Sequence, residues 1–348
     1  MITISDIDRH DEKLNQNDHF LVEAEQSRVA LDKLLTNTKE KFHEILLYTV
    51  RNNKLKNYLN YEIRILYPQD KSTYAGIKND GGYCIKISVP FMRKIFVYSD
   101  LIAEKYTYFW EESFQIKTSK SEIRDMLFCS YCLIILCHEA GHILNGHLDF
   151  LIDKKLITTT ESITIDYLEI LTINNFDNYI ENIEEINNDD QDIWFAIESE
   201  ADAFAAQSAA FLLNRVDEIR KIVNKIEGIN KNNEIAYKFY GYILATLFHF
   251  YDLISSSKDI RHPKPFVRMY ISAASFNQLV EIKNGTKKDY ETILHVLLKA
   301  YWEICDVLNF YENEPQKIKQ EYSIEAISLM KKIPYILNKI DISLYRKK

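Results

Sequence analysis

The chain switches between two hydrophobic periods. Across residues 28–60, Val29, Leu31, Leu34, Leu35, Phe42, Ile45 and Leu46 recur at helical spacing with charge on the opposite face, which predicts helix. The period then falls to two. Ile63, Ile65 and Tyr67 alternate with Arg64 and Leu66, and Tyr83, Ile85, Ile87 and Val89 alternate with Cys84, Lys86 and Ser88. Between these runs lies Asn79-Asp80-Gly81-Gly82, whose residues tolerate the positive φ of a tight hairpin. The pattern predicts a small antiparallel sheet at about 61–89, closed by Pro90.

Helical patterning then resumes and does not stop. Ser119 and Glu122 fit a capping box, opening a helix expected to run to about Asn145, where Gly146 suits the position just past a helix end. Later helices are predicted near 193–226, 233–257, 264–283, 288–312 and 318–345, the last interrupted at Pro334. No internal repeat and no domain linker stands out. The expected fold class is α+β, predominantly α-helical, with the small sheet preceding the helix that opens at Ser119.

Composition supports this. Only 8 Gly and 6 Pro occur among 348 residues, far below the roughly 12% average for the pair, which disfavours a turn-rich all-β fold. At 47% hydrophobic and 27% charged, the chain has the make-up of a globular protein with a substantial core. Its net charge is −8 and its pI near 5.7, so a phosphate-binding surface and a nucleic-acid partner are not expected. The first residues, MITISDIDRHDEKLNQ, have no basic stretch leading into an apolar one, so no signal peptide is expected. The most apolar windows, 126–137 and 239–254, fall short of the ~20 residues that span a bilayer, so no membrane insertion is expected. Five cysteines, an odd number without a secretion signal, favour a reducing compartment and a cytoplasmic location. Residues 156–214 contain no Lys or Arg, while 156–192 hold 10 Asp and Glu. This stretch is a solvated acidic insertion, or else a lid that favours basic substrate segments.

The chemistry concentrates in His138-Glu139-Ala140-Gly141-His142, an H-E-x-x-H on the capped helix. Histidines at i and i+4 lie ~40° apart around the axis, so both imidazoles reach one ion. Glu139 is angled to hold a water on that ion. Chance would produce such a motif in about 0.02 chains of this composition. Small residues at Ala140 and Gly141 would let a strand or a substrate backbone approach closely. A hydrolytic zinc site needs a third protein ligand and an open fourth position. His147 lies five residues past His142, but the longer zinc motif H-E-x-x-H-x-x-G-x-x-H requires its last histidine at 148, which is Leu148, and its glycine at 145, which is Asn145. The alternative is a carboxylate from a later helix. Glu198 and Asp202 share a face at i and i+4; Glu198 can ligate while Asp202 orients a ligand histidine. Glu200 points ~160° from Asp202 and is the weaker ligand candidate. His147 fits a structural role at the helix end, and Cys129, Cys132 and Cys137 fit buried thiols. Tyr242 and Tyr270 are possible hydrogen-bond donors to a reacting oxygen.

The order of motifs resembles the gluzincin group of metallopeptidases: H-E-x-G-H with His147 five residues on, then E-x-x-A-D, then His262-Pro263 with Arg268 six past the histidine. Within that group the pattern is most similar to the CAAX-prenyl-protease and heat-shock membrane protease superfamily, over residues 120–275. The resemblance implies a zincin-like catalytic core over 61–275 carrying the acidic insertion 156–192, between helical regions 1–60 and 276–348 of a single chain. It implies one Zn2+ per chain bound by His138, His142 and Glu198, with Glu139 as general base and Asp202 beside a ligand. It also places His262 and Arg268 near the active site, with His262 expected to stabilise the oxyanion. Membrane members of the group carry transmembrane helices; soluble relatives with similar motifs include phage-exclusion peptidases of the Lit type, which cleave a host translation factor. The expected function is zinc-dependent endopeptidase activity on a restricted set of protein substrates. Host-directed phage-exclusion peptidase activity and a metal-binding regulatory role without turnover are the alternatives. The oligomeric state stays open.

Overall fold

Helix α3 (Lys120–Leu144) is the element around which the fold is built, and its first turn shows why it starts where it does. Ser119 sits in extended backbone; its Oγ accepts the Glu122 amide at 3.2 Å and its own amide donates to Glu122 Oε2 at 2.9 Å. The box satisfies two amides that a helix start leaves orphaned. Lys225 donates to both Glu122 oxygens at 2.8 and 2.9 Å, and this bond, with the Ser119 amide, draws the Glu122 pKa down to about 2. Every residue from Met126 to Ile143 is buried, as expected of a helix that is apolar all round. Contrary to the sequence expectation, α3 is long and apolar enough to cross a bilayer, but 94% of its apolar window is buried inside the protein.

The computed structural model describes residues 3–16, 33, 36, 40, 61–66, 74–77, 83–154, 188–212, 216–229, 233–254, 263–284, 288–307 and 315–344. Most of the predicted helical stretch 28–60, most of the acidic stretch 156–192, and His262 lie outside them. Among the described residues there are ten helices. The others are α1 (Ile4–Gln16), α2 (Val89–Phe114), α4 (His147–Asp153), α5 (Asn188–Leu212), α6 (Asp217–Ile229), α7 (Asn233–Ile254), α8 (Pro265–Asn284), α9 (Lys288–Val307) and α10 (Pro315–Lys339). Helix α3 packs chiefly against α5, then α2 and α6; α7 pairs with α9, α8 bridges α5 to α7, α9 and α10, and α1 lies on α2.

Three expectations are corrected. The antiparallel sheet at 61–89 does not form as expected. Strand β1 (Tyr61–Leu66) pairs in parallel with β3 (Tyr83–Ser88), Tyr61 opposite Tyr83, while β2 (Tyr74–Ile77), which the alternation did not single out, pairs antiparallel to β3. Order β1-β3-β2 leaves β3 between the other two strands, so β1 reaches β3 by a crossover, which parallel pairing requires; the predicted turn at 79–82 lies outside the described residues. The helix predicted over 193–226 is two, α5 and α6. Pro334 does not interrupt α10; it is exposed, where solvent can satisfy the carbonyl that loses its donor.

At Gly141, α3 and α5 touch backbone to backbone. A Cβ there would stand 3.2 Å from Ala201 Cα and 3.3 Å from Ala201 O and Phe204 Cβ. The close approach expected at Ala140 and Gly141 is therefore made by a helix of the same chain. Gly141→Val overpacks this contact and is expected to destabilise the protein by about 1–3 kcal/mol, measured as a lower denaturant midpoint at unchanged slope. A midpoint equal to wild type would show that the helices can separate freely.

Candidate metal centre

Close packing of α3 on α5 brings three donor side chains to one point. His138 Nε2 and His142 Nε2 lie 3.0 Å apart, Glu198 Oε2 lies 3.3 Å from His138 Nε2, and Glu198 Oε1 lies 3.7 Å from His142 Nε2. With metal–ligand bonds of about 2.1 Å, tetrahedral zinc separates its ligand atoms by about 3.4 Å. The three observed edges bracket that value. His142 and Glu198 are fully buried, and His138 and Glu139 are 8% and 3% exposed. Two imidazoles and a carboxylate are the donor set that zinc takes in hydrolytic sites, so the residues fit such an ion.

The flanking contacts orient the ligands. Asp202 Oδ1 lies 2.9 Å from His138 Nδ1. A carboxylate only accepts, so this contact places hydrogen on Nδ1. Asp202 is in turn held by two parallel bonds, from Arg268 Nε to Oδ2 at 2.8 Å and from Nη2 to Oδ1 at 2.9 Å. The planar guanidinium fork suits this bidentate pairing. Burial alone would raise the Asp202 pKa, but the Arg268 charge and the bonds from Arg268 and His138 hold it below its ordinary value. Burial likewise opposes charge on His138, yet the bonds to Asp202 and Glu198 push its pKa up to about 10. Glu198 and Asp202 are buried carboxylates that meet the His138 ring, and Asp202 also meets the Arg268 guanidinium.

The sequence candidates thus fall into place unevenly. The structure brings His138, His142, Glu198, Asp202 and Arg268 together; Glu139 is buried on the same helix turn; His262 lies outside the described residues, just before the buried Pro263. Two residues enter that the motif reading set aside. His147 Nδ1 lies 3.0 Å from His142 Nδ1, and His147 Nε2 lies 3.0 Å from Glu200 Oε2. The signal for them was present: a glycine at the helix end followed at once by a histidine. Gly146 has φ 76°, and this left-handed turn folds α4 back so that His147 meets the last turn of α3. Tyr242 donates to Glu303, which commits its hydroxyl away from the two histidines. Tyr251, which the sequence did not single out, lays its ring on Arg268, with the guanidinium carbon 5.2 Å from the ring centre. Its hydroxyl pKa is raised by burial and by the charges of Asp202, Glu139 and Glu198, against the opposing effect of Arg268.

Among the described residues a second cluster, His10, Asp100 and Glu104, also has its donor atoms close together. There Lys120 lies 2.9 Å from Asp100 and 2.9 Å from Glu104, and Arg124 lies 3.6 Å from Asp100. The cations already present make it an ion-pair network joining α1, α2 and α3. No family model, curated protein or solved structure matches the chain.

Because its folded pKa is raised to about 10, His138 stabilises the metal-free fold fully below its ordinary value of about 6.5 and loses that contribution as pH rises toward 10. An incoming ion must displace this proton. Zinc titrated at neutral pH in buffers of different ionisation enthalpy is expected to release about one proton per ion; heats that are independent of buffer would contradict a protonated His138. Arg268→Ala leaves a buried carboxylate beside His138 and is expected to cost about 3–5 kcal/mol of stability, read from denaturant unfolding.

Proposed function

We propose that the chain is a zinc-dependent endopeptidase acting on a restricted set of protein or peptide substrates, with one ion held by His138, His142 and Glu198. The observation that carries this reading is the triangle of donor atoms, with edges of 3.0, 3.3 and 3.7 Å, beside a buried Glu139. When bound, zinc supplies Lewis acidity that lowers the pKa of a bound water from 15.7 to about 7 and polarises the scissile carbonyl. The residues supply the rest. Asp202 keeps hydrogen on His138 Nδ1, leaving Nε2 to bind, and Arg268 keeps Asp202 ionised. The Glu139 carboxylate takes the proton of the attacking water and returns it to the leaving amine nitrogen. By resemblance to the CAAX-prenyl-protease and heat-shock protease superfamily, the core is zincin-like and His262 stands near the active site; a donor role for His262 toward the oxyanion is our own proposal. An extended substrate can add to the outer edge of β1 or β2, which pair only with β3 among the described residues. The odd number of cysteines, all five buried, supports a cytoplasmic location.

A host-directed peptidase of the phage-exclusion type is an alternative form of this activity, which the motif resemblance to soluble members of that group suggests. Burial of the donor triad favours one second reading, a metal-binding regulatory protein without turnover.

Zinc stoichiometry is expected to approach one per chain and to fall sharply in His142→Ala. Glu139→Gln should retain the ion while turnover drops by at least about 10²–10⁴-fold. Comparing whole proteomes of cells expressing wild type and Glu139→Gln should reveal a protein cleaved only with wild type. Identical proteomes, with zinc retained in both, would favour the regulatory reading.

A further inference from the structure

We infer that His147 and Glu200 are positioning residues of the metal centre: they keep the single ring N–H of His142 on Nδ1 and so turn its Nε2 toward the ion. This rests on the metal reading above. Three contacts in line carry it: Glu200 Oε2 to His147 Nε2, His147 Nδ1 to His142 Nδ1, and His142 Nε2 to His138 Nε2, each 3.0 Å. The carboxylate only accepts, so the proton of the first contact sits on His147 Nε2. The His147 ring is fully buried between its two partners, and a cation held by His142 Nε2 needs a lone pair there, which makes His147 Nδ1 the acceptor. The nitrogen facing it, His142 Nδ1, then carries the hydrogen, and His142 presents a lone pair at Nε2. The reverse assignment would aim an N–H from His142 at the point where the two imidazoles and Glu198 converge, which is where a cation must sit.

The two ligand histidines are therefore oriented by different means. His138 meets the carboxylate of Asp202 directly. His142 meets that of Glu200 through an intervening imidazole. Carboxylate partners of this kind raise the basicity of a ligand ring and lock its orientation. The Asp202 partner is buried and clamped by Arg268, whereas the Glu200 side chain is 17% exposed, so the second relay ends at the protein's edge. Its geometry depends on Gly146, whose left-handed backbone brings α4 back onto α3.

The test uses the full chain and zinc alone, titrated against a competing chelator. Long-range nitrogen–proton NMR of histidine-labelled protein reports which ring nitrogen of His142 carries hydrogen. Wild type is expected to show an Nδ1–H on His142 both before and after zinc is added. His147→Ala is expected to lower zinc affinity about 10–100-fold and to lose that signature. His147→Gln is expected to recover most of the affinity, because its amide can accept from His142 Nδ1–H and donate to Glu200. Glu200→Ala, at the partly solvated end, should weaken binding about tenfold. Wild-type affinity in both alanine variants would overturn the relay and leave the metal reading standing. A wild-type chain that takes up no zinc would overturn the metal reading and the positioning role with it. Should His147→Ala fail to fold, the decision falls to Glu200→Ala, where an unchanged affinity and an unchanged Nδ1 signal overturn the relay.

Discussion

The Arg268–Asp202–His138 chain is the interaction on which the rest of the site depends. It lies among apolar helices, where an uncompensated carboxylate would be protonated or would drive the helices apart. Asp202 stays ionised because two guanidinium N–H groups meet its two oxygens. An ionised Asp202 in turn fixes which nitrogen of His138 holds hydrogen. Remove the guanidinium and each later contact loses its reason to keep its present geometry.

Backbone packing makes that chain possible. Gly141 against Ala201 brings α3 and α5 within contact distance, so Glu198 and Asp202, one turn apart on α5, face the histidines of α3. Helix α8 crosses α5 and delivers Arg268 from a third direction. Helix α4 brings His147 back from just beyond the glycine turn. Side chains from four helices thus converge, and α3, buried along nearly its whole length, keeps their spacing tight. A surface loop carrying the same residues would need to order them at an entropic cost on binding.

Charge explains why such a site tolerates burial. The carboxylates of Asp202 and Glu198 favour a proton on His138, which then joins Arg268 in balancing their charge. A divalent ion taking that proton's place would raise the local positive charge by one. The Tyr251 ring on Arg268 closes one side of this group.

Much of this was legible in the chain itself. The H-E-x-x-H pair needs only helical periodicity to place His138 and His142 on one face, and the capping box at Ser119 and Glu122 marks where that helix begins, because both signals are local. The i, i+4 relation of Glu198 and Asp202 is local too, and so is the predominance of helix. The β1–β3 pairing direction was misread, because alternation reveals a strand but not its partner. The contact of Arg268 with Asp202, the approach of α5 at Gly141, and the His142–His147–Glu200 line all join residues whose proximity depends on how separate helices pack. Sequence spacing determines which side chains share a face of one helix. Only tertiary packing decides which faces meet, because that choice is made by burial and charge compensation summed over the whole core.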